Sequence, residues 1–300
     1  MTHANTKYVG RFAPSPTGPL HFGSLVAAVA SYLDARAQGG RWRVRIEDVD
    51  TTRCNPQFAD EILVTLSAFG FVWDGEVLVQ SQRSLRYQMA LDQLAASNLT
   101  YACTFSRKEI ADSAMSGIDG PVYPGTCRDK KLAVNGFAMR VRTTQAEICF
   151  VDRVQGGCCQ VLERDIGDFV LKRRDGLFAY QLAVVVDDAD QGVTHVVRGA
   201  DLLDSTARQI HLQRLLGLPT PRYLHVPVVT NAAGQKLSKQ TLAPAISATD
   251  ACKLLRDALA HLGQNPLLET TCATPAALLA AAIETWDVAA IPKQRARYIS

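Results

Sequence analysis

The order of elements in residues 8–46 constrains the fold more than any other feature of the sequence. Residues 8–13 predict a short strand, and a rigid loop with three prolines and a glycine follows. An Ala-, Leu- and Val-rich helix is predicted from Gly23, and Gly39 and Gly40 end it before a second strand at residues 42–46. This strand–loop–helix–strand order predicts a βαβ unit and therefore a parallel sheet.

The α/β pattern is interrupted once, in the middle of the chain. Residues 101–135 contain Gly, Pro and Cys with few periodic apolar positions. Residues 136–176 alternate in short runs typical of strands, with a turn predicted over Arg173 to Gly176. We interpret residues 101–165 as an insertion in a domain that spans residues 1–240.

The remaining segments return to regular helices and strands. The predicted helices lie at about residues 56–69, 84–96, 205–216, 251–262 and 275–286, and the predicted strands at 180–186, 194–198 and 225–229. We interpret residues 241–300 as a short helical C-terminal region. The predicted fold class is therefore α/β, with a parallel sheet, an inserted α+β subdomain and this helical region.

Composition excludes several classes of protein. Of 300 residues, 47% are hydrophobic and 20% are charged, which argues against a disordered chain. The first residues lack the apolar core of a signal peptide, and the longest weakly polar stretch, residues 276–283, is too short to span a bilayer. We therefore expect a soluble, cytoplasmic protein, a monomer by default, whose eight cysteines remain thiols or serve in small part as metal ligands. The net charge of 32 − 29 = +3 permits a nucleic-acid partner without requiring one.

The segment from Arg11 to Ser24 carries the first chemical signal. It places His21 and the backbone of Gly23 at a predicted helix N-terminus, where free N–H groups and the helix dipole favour a phosphate. Gly23 also lets a nucleotide approach the backbone closely. A plain strand-to-helix connection explains most single His-x-Gly matches, but the whole string favours a nucleotide site.

The segment Lys236-Leu237-Ser238-Lys239-Gln240 carries the second signal. It follows a turn-like stretch at residues 231–234. Two lysines three apart on a mobile loop can hold a phosphate chain as charge shifts in the transition state. Lys-x-Ser-Lys alone is usually part of a solvated surface loop. The presence of the first motif in the same chain makes the Lys-x-Ser-Lys segment a specific signal for a phosphate site.

The two motifs together resemble the signature sequences of class I aminoacyl-tRNA synthetases. His21-Phe22-Gly23-Ser24 resembles the first signature, and residues 236–240 resemble the second. The strings at residues 11–18, 45–50 and 197–201 are similar to the glutamyl branch in particular. The resemblance covers about residues 7–240 and implies a Rossmann-type catalytic core.

The resemblance implies a site for ATP and L-glutamate. The implied catalytic residues are His21, Gly23, Lys236 and Lys239, which with Ser24 also form the implied ATP site. The implied glutamate-binding residues are Arg11, Phe12, Ala13, Pro14, Ser15, Glu47, Tyr180 and Arg198. Mg²⁺ is expected as the complex with ATP.

The chemistry of glutamate agrees with three of these residues. Glu47 can hold the ammonium group, although a strand-end salt bridge with Arg45 or Arg11 would also explain it. Arg198 and Arg11 are candidates for the side-chain carboxylate, because a guanidinium pairs with a carboxylate through two hydrogen bonds. Tyr180 can donate its hydroxyl to a carboxylate, and a core aromatic is the alternative interpretation.

The number of residues that follow the second motif indicates which members of the glutamyl branch the chain resembles. Only residues 241–300 follow it, which is too short for the large anticodon-binding region of a glutamyl-tRNA synthetase. The chain resembles the shorter glutamyl-Q tRNA(Asp) synthetases in this respect, in the form of residues 236–240 and in residues 177–188. The resemblance implies activation of glutamate without tRNA and its transfer to queuosine in the anticodon of tRNA(Asp).

The zinc pattern of the resembled family is incomplete here. The family carries Cys-x-Cys followed by Tyr-x-x-x-Cys, and this chain retains Cys103, Tyr123 and Cys127. Phe105 stands where the second cysteine is expected and cannot bind a metal. Structural zinc usually has four ligands, so we predict no tightly bound zinc.

Other functions stay open at this point. A glutamyl-tRNA synthetase variant that charges a tRNA 3′ end would share the motifs. A non-catalytic RNA-binding paralogue would have no reason to keep His21, Glu47, Arg198, Lys236 and Lys239. A small-molecule nucleotidylyltransferase also uses His-x-Gly loops, but it would not need the strings at residues 45–50 and 197–201.

Overall fold

The computed structural model describes residues 7–105, 109, 116–118, 120–130, 132, 136–231, 234–237, 244–264 and 274–298. Its α-helices are α1 (Phe22–Ala37), α2 (Pro56–Ala68), α3 (Ser84–Ala96), α4 (Leu162–Asp165), α5 (Tyr180–Asp190), α6 (Thr206–Leu216), α7 (Ala251–His261) and α8 (Pro275–Glu284). Its strands are β1 (Val9–Phe12), β2 (Arg41–Ile46), β3 (Leu78–Val79), β4 (Thr100–Cys103), β5 (Ser116–Gly117), β6 (Gly120–Pro121), β7 (Ala138–Val141), β8 (Glu147–Asp152), β9 (Gly156–Val161), β10 (Val170–Lys172), β11 (His195–Gly199), β12 (Arg222–Val226), β13 (Val228–Thr230) and β14 (Ala296–Tyr298).

Parallel strands form the centre of the molecule, as the βαβ pattern predicts. β1 pairs with β2 and β2 with β3, all in parallel. β11 pairs with β12 in parallel over their full lengths. The backbone N–H of Thr194, just before β11, donates to the carbonyl of Val9 at 2.9 Å and brings β11 beside β1. The carboxyl ends of these strands therefore meet at one edge, and the predicted α/β class is confirmed.

Local sequence explains where the first two helices begin. The His21 side chain caps α1 by accepting the N–H of Ser24, and Asn55 caps α2 by accepting the N–H of Gln57. Pro56 then occupies the first turn of α2, where its missing N–H costs nothing. β2 is anchored by Trp42, which is fully buried.

Two predicted strands differ from the structure. Residues 180–186 belong to helix α5 rather than to a strand. Every residue from Leu182 to Val186 is buried, and an apolar run of this kind does not distinguish a buried strand from a buried helix. The strand predicted at residues 225–229 is broken by Pro227, which cannot donate a ladder hydrogen bond, so β12 ends at Val226 and β13 begins at Val228.

Antiparallel strands make up much of the segment interpreted as an insertion. β4, β7 and β10 form a three-stranded sheet, and β8 and β9 form a hairpin. The hairpin is joined to the parallel strands where Asp152 of β8 pairs with Tyr223 of β12. The division into residues 1–240, with its insertion, and residues 241–300 stays a prediction.

The expectation that the cysteines remain thiols, with a few as metal ligands, is wrong for one pair. Cys149 and Cys159 form a disulfide. The antiparallel register of β8 and β9 places them directly opposite each other on the exposed face, a proximity that their separation in sequence does not reveal. Cys158, the neighbour of Cys159, remains a thiol.

The C-terminal region is helical with one addition. Helices α7 and α8 match the predictions at about residues 251–262 and 275–286. Strand β14 pairs in parallel with β13 and was not predicted. Among the described residues, no helix combines the length and apolar character needed to cross a membrane.

Candidate active site

A cavity of about 580 Å³ lies at the carboxyl ends of β1, β2 and β11, where ligands bind in open α/β sheets. It brings together residues that the sequence separates by more than 180 positions. The predicted site residues that line it are Arg11, Phe12, Ala13, Pro14, Ser15, His21, Gly23, Ser24, Glu47, Tyr180, Arg198 and Lys236. Lys239, the other predicted site residue, lies outside the described part of the chain, as do Ser238 and Gln240.

The two sequence motifs meet across this cavity at Gly23. A β-carbon added there would lie 3.2 Å from the carbonyl oxygen of Leu237 and 3.2 Å from Cε1 of His21. Only glycine fits without moving one of the two segments. The ammonium group of Lys236 pairs with Asp201 at 2.6 Å, and Asp201 also lines the cavity.

Four buried charged side chains form a network of ion pairs at the cavity wall. Asp188 of α5 accepts hydrogen bonds from Arg11 at 3.1 Å and from Arg45 at 2.7 Å. Arg45 also pairs with Glu47 at 3.1 Å. The predicted alternative for Glu47, a salt bridge with Arg45, is therefore present, while Glu47 also lines the cavity. Burial raises the pKa of Glu47, and the attraction of Arg45 and Arg11 opposes that rise.

Arg198 is held in place by neutral groups. Its Nε–H donates to Nε2 of His225 at 2.9 Å, and one terminal nitrogen donates to the hydroxyl of Thr206 at 2.9 Å. The other terminal nitrogen, Nη1, is buried and has no hydrogen-bond partner, and Arg198 forms no salt bridge within the described residues. A buried cation without a counter-ion is costly, so this site favours an anionic ligand.

Asp152 and His225 orient Arg198, and the sequence analysis missed both. Because a guanidinium can only donate, Nε2 of His225 must accept, and its proton therefore lies on Nδ1, which donates to Asp152 at 2.6 Å. Burial lowers the pKa of His225 to about 4 and keeps the ring neutral. Burial raises the pKa of Asp152, but the hydrogen bond from His225 brings it down to about 2. The hydrogen-bonded series Asp152–His225–Arg198 therefore holds His225 as the neutral tautomer protonated on Nδ1, with Asp152 ionised.

Tyr180 begins helix α5 and lines the cavity. Its hydroxyl makes no hydrogen bond within the described residues. Burial, followed by the nearby charge of Glu47, raises the pKa of Tyr180, so the phenol stays protonated and available as a donor. The predicted alternative, that Tyr180 is only a core aromatic, does not account for its position in the cavity wall.

The three residues of the incomplete zinc pattern lie together away from this cavity. The Cys103 thiol lies 3.3 Å from the Tyr123 hydroxyl, which accepts the backbone N–H of Cys127. Burial raises the pKa of Cys127, but hydrogen bonds from Tyr123 and Thr104 bring it to about 7. The Phe105 ring packs edge-on against Tyr123 at 6.2 Å and offers no donor atom. The described residues here do not fit a four-ligand zinc site.

We expect purified protein to contain well under one zinc per chain after dialysis against a chelator. Replacing Phe105 by cysteine supplies the missing thiolate and should raise zinc occupancy towards one. Elemental analysis of both proteins measures this. Full occupancy in the unmodified chain would contradict the prediction.

Comparisons with known proteins agree with this geometry. The family model of the class I tRNA synthetases (E and Q), catalytic domain, matches residues 7–262. The chain is 58% identical over 293 residues to a glutamyl-Q tRNA(Asp) synthetase of Dechloromonas aromatica, with 97% of each chain covered. It is 56% identical over 285 residues to the protein of that name from Thiobacillus denitrificans, with 95% of each covered.

A solved structure supports the fold. The glutamate–tRNA synthetase of Elizabethkingia anophelis superposes with a TM-score of 0.81 at 23% sequence identity, covering 98% of this chain and 68% of that one. Fold, cavity and matched domain define a class I tRNA synthetase of the E and Q type. Within that class the chain belongs to the glutamyl-Q tRNA(Asp) synthetase family.

Proposed function

We propose that the protein activates L-glutamate with ATP and transfers the glutamyl group to queuosine in tRNA(Asp). The observation that carries the glutamate assignment is Arg198, whose buried Nη1 and whose charge have no partner among the residues that the structure describes. A substrate carboxylate supplies both. Glutamine would leave that charge unpaired, which disfavours it as a substrate.

Activation needs no protein nucleophile. An α-carboxylate oxygen of glutamate attacks the α-phosphorus of ATP, the bond between that phosphorus and the oxygen shared with the β-phosphorus breaks, and pyrophosphate leaves. Mg²⁺, bound with ATP, would neutralise part of the phosphate charge. The side chains position the reactants and stabilise the developing charge. We assign the α1 N-terminus at His21 and Gly23, together with Lys236 and Lys239, to the phosphates.

Four residues are assigned to the charged groups of glutamate. Arg198 pairs with the side-chain carboxylate, with Arg11 beside it, and the Tyr180 hydroxyl donates to a carboxylate oxygen. Glu47 holds the ammonium group, since it lines the cavity and both of its hydrogen bonds from Arg45 go to the same oxygen, Oε1. Phe12 to Ser15 line the same cavity and are assigned to the glutamate site with them.

Transfer completes the reaction. A hydroxyl of the cyclopentene diol of queuosine attacks the glutamyl carbonyl, AMP leaves, and the hydroxyl proton goes to solvent or to the departing phosphate. The second candidate acceptor is the terminal adenosine of a tRNA, because the same adenylate would react with that hydroxyl.

The acceptor is tested with tRNA(Asp) prepared with and without queuosine. We expect radiolabelled glutamate to be incorporated only into the queuosine-containing RNA. Equal incorporation into queuosine-free tRNA would overturn queuosine as the acceptor and support the 3′ end.

Lys239→Ala should slow activation far more than it weakens glutamate binding, because the lysine is proposed to act on transition-state charge. We expect kcat for ATP–pyrophosphate exchange to fall about 100-fold while KM for glutamate changes less than threefold. Lys253→Ala, an exposed lysine on α7, is the matched control. Unchanged turnover in Lys239→Ala would remove this residue from the site.

His225→Ala should raise KM for glutamate about tenfold, since Arg198 then loses a hydrogen bond that positions it. KM for ATP should change little, because ATP is not assigned to Arg198. His225→Gln, whose amide oxygen can accept from Arg198, should recover part of the loss. If His225 only stabilises the fold, His225→Ala should lower the melting temperature and raise KM for glutamate and for ATP by equal factors. That result would contradict its role in positioning Arg198.

A further inference from the structure

Three exposed side chains of the β8–β9 hairpin form a group, the hairpin cluster, that the proposed reaction does not use. Cys149 of β8 lies directly opposite Cys159 of β9, and Glu147 lies two residues before Cys149 on the same face of the strand. The two cysteine sulfurs and a carboxylate oxygen of Glu147 all lie within 4.8 Å of one another. None of the three residues lines the active-site cavity.

The carboxylate of Glu147 is available to a ligand. It makes no hydrogen bond or ion pair within the described residues. Arg164 is close enough to interact with its charge, but Arg164 is paired with Asp165 at 2.7 Å. An exposed carboxylate by itself is simply hydrated. Beside two cysteine sulfurs, the Glu147 carboxylate instead supplies a third donor atom on one surface.

The oxidation state of the two cysteines determines whether the cluster can hold a metal ion. Their sulfurs are joined as a disulfide, and it is the thiolate form of cysteine that binds metals. Both residues are exposed, so a small-molecule thiol can reach the bond. One small thiolate attacks a cysteine sulfur and displaces the other cysteine, and a second small thiolate then displaces the first cysteine. The chain gains two thiols, and the two small thiols become one small disulfide.

The reduced cluster has the donor set of a thiophilic cation. Zn²⁺ binds thiolates at about 2.3 Å and carboxylates at about 2.1 Å, and its tetrahedral geometry separates two sulfurs by about 3.8 Å. Opposed residues of antiparallel strands have Cβ atoms about 5 Å apart, so rotation of the two cysteine side chains can reach that separation. Thiolates disfavour Mg²⁺ and Ca²⁺, which bind oxygen ligands.

We propose that Glu147, Cys149 and Cys159 form a redox-dependent site for a thiophilic divalent cation such as Zn²⁺. The dithiol binds the ion, with water as the fourth ligand. Oxidation by a small-molecule disulfide transfers two electrons to that disulfide, forms the Cys149–Cys159 bond and releases the ion. Because the site is exposed and has three protein ligands, a chelator removes the ion, which agrees with the low zinc content expected after dialysis.

Titration of the full chain with Cd²⁺ tests the site, because Cd²⁺ binds thiolates as Zn²⁺ does and the Cd–thiolate bond absorbs in the ultraviolet. The chain is first reduced with a phosphine and freed of metal with a chelator. We expect binding of Cd²⁺ with this absorption, its displacement by Zn²⁺, and no such binding after oxidation with oxidised glutathione. Cys149→Ser should abolish this binding. Glu147→Gln should weaken it by at least about tenfold, since even an outer partner of a metal ligand contributes that much.

Two cysteine variants serve as matched controls. Cys158→Ser replaces the neighbour of Cys159, whose side chain lies on the opposite face of β9. Cys127→Ser removes a thiol of the incomplete zinc pattern. Both should bind Cd²⁺ at the hairpin cluster as the unmodified chain does. Retention of the full absorption in Cys149→Ser, its loss in Cys127→Ser, or equal binding by the oxidised chain would overturn the proposal.

Discussion

Replacing Arg198 by alanine is expected to reduce kcat/KM for glutamate in ATP–pyrophosphate exchange by about 10³-fold. The reason is the loss of charge-assisted hydrogen bonding from Nη1 of Arg198 to the substrate carboxylate inside a buried site, which is worth about 4 kcal/mol. ATP binding should remain within about twofold, because Arg198 is proposed to contact glutamate and not ATP. Steady-state exchange with varied glutamate, together with titration of a non-hydrolysable ATP analogue, measures both.

Two further variants complete this test. Arg198→Lys keeps the charge but loses the planar guanidinium that His225 and Thr206 hold in place, and should recover only a small part of the activity. Arg222→Ala removes an exposed guanidinium at the start of β12 and should have no effect. If glutamate use survives in Arg198→Ala, the carboxylate is held elsewhere, and Arg11 becomes the next residue to test.

Asp188→Asn should lower the free energy of unfolding by about 4 kcal/mol. The substitution leaves Arg11 and Arg45 buried with Glu47 as their remaining negative charge, and removing one partner of a buried ion pair is strongly destabilising. Burial raises the pKa of Asp188, but Arg11 and Arg45 hold it below the usual 3.8. The stabilisation that ionised Asp188 contributes is therefore complete above about pH 4. It is lost as the pH falls through the lowered pKa of Asp188 in the folded protein.

Urea unfolding at pH 7 measures the loss, with Asp190→Asn as the matched control. Asp190 lies on the same helix and accepts from Arg83 and Arg86, but it is partly exposed, so its loss should cost at most about 1 kcal/mol. Equal effects of the two substitutions would contradict a special role for the buried network.

Local signals in the sequence predicted the parts of the fold that depend on near neighbours. The strand–loop–helix–strand order over residues 8–46 predicted the βαβ unit, and the helix predicted to start at Pro56 begins at that residue. The two motifs and the resemblance they carry selected residues that line one cavity, because parallel strands bring their carboxyl ends to one edge.

The parts that escaped prediction depend on long-range contacts. Asp188, which accepts from Arg11, lies on a helix over residues 180–190, where a strand was predicted over residues 180–186. Asp152 and His225 are 73 positions apart, and nothing in their neighbours indicates that they share a hydrogen bond. The Cys149–Cys159 disulfide likewise depends on the register of a hairpin.

The most direct test of the account is ATP–pyrophosphate exchange with purified protein, run against a panel of amino acids without tRNA. Glutamate alone should support exchange, and glutamine should not, because Arg198 requires a negative charge. Exchange supported by glutamine, or by no amino acid with or without tRNA, would contradict the assignment of this cavity to glutamate activation.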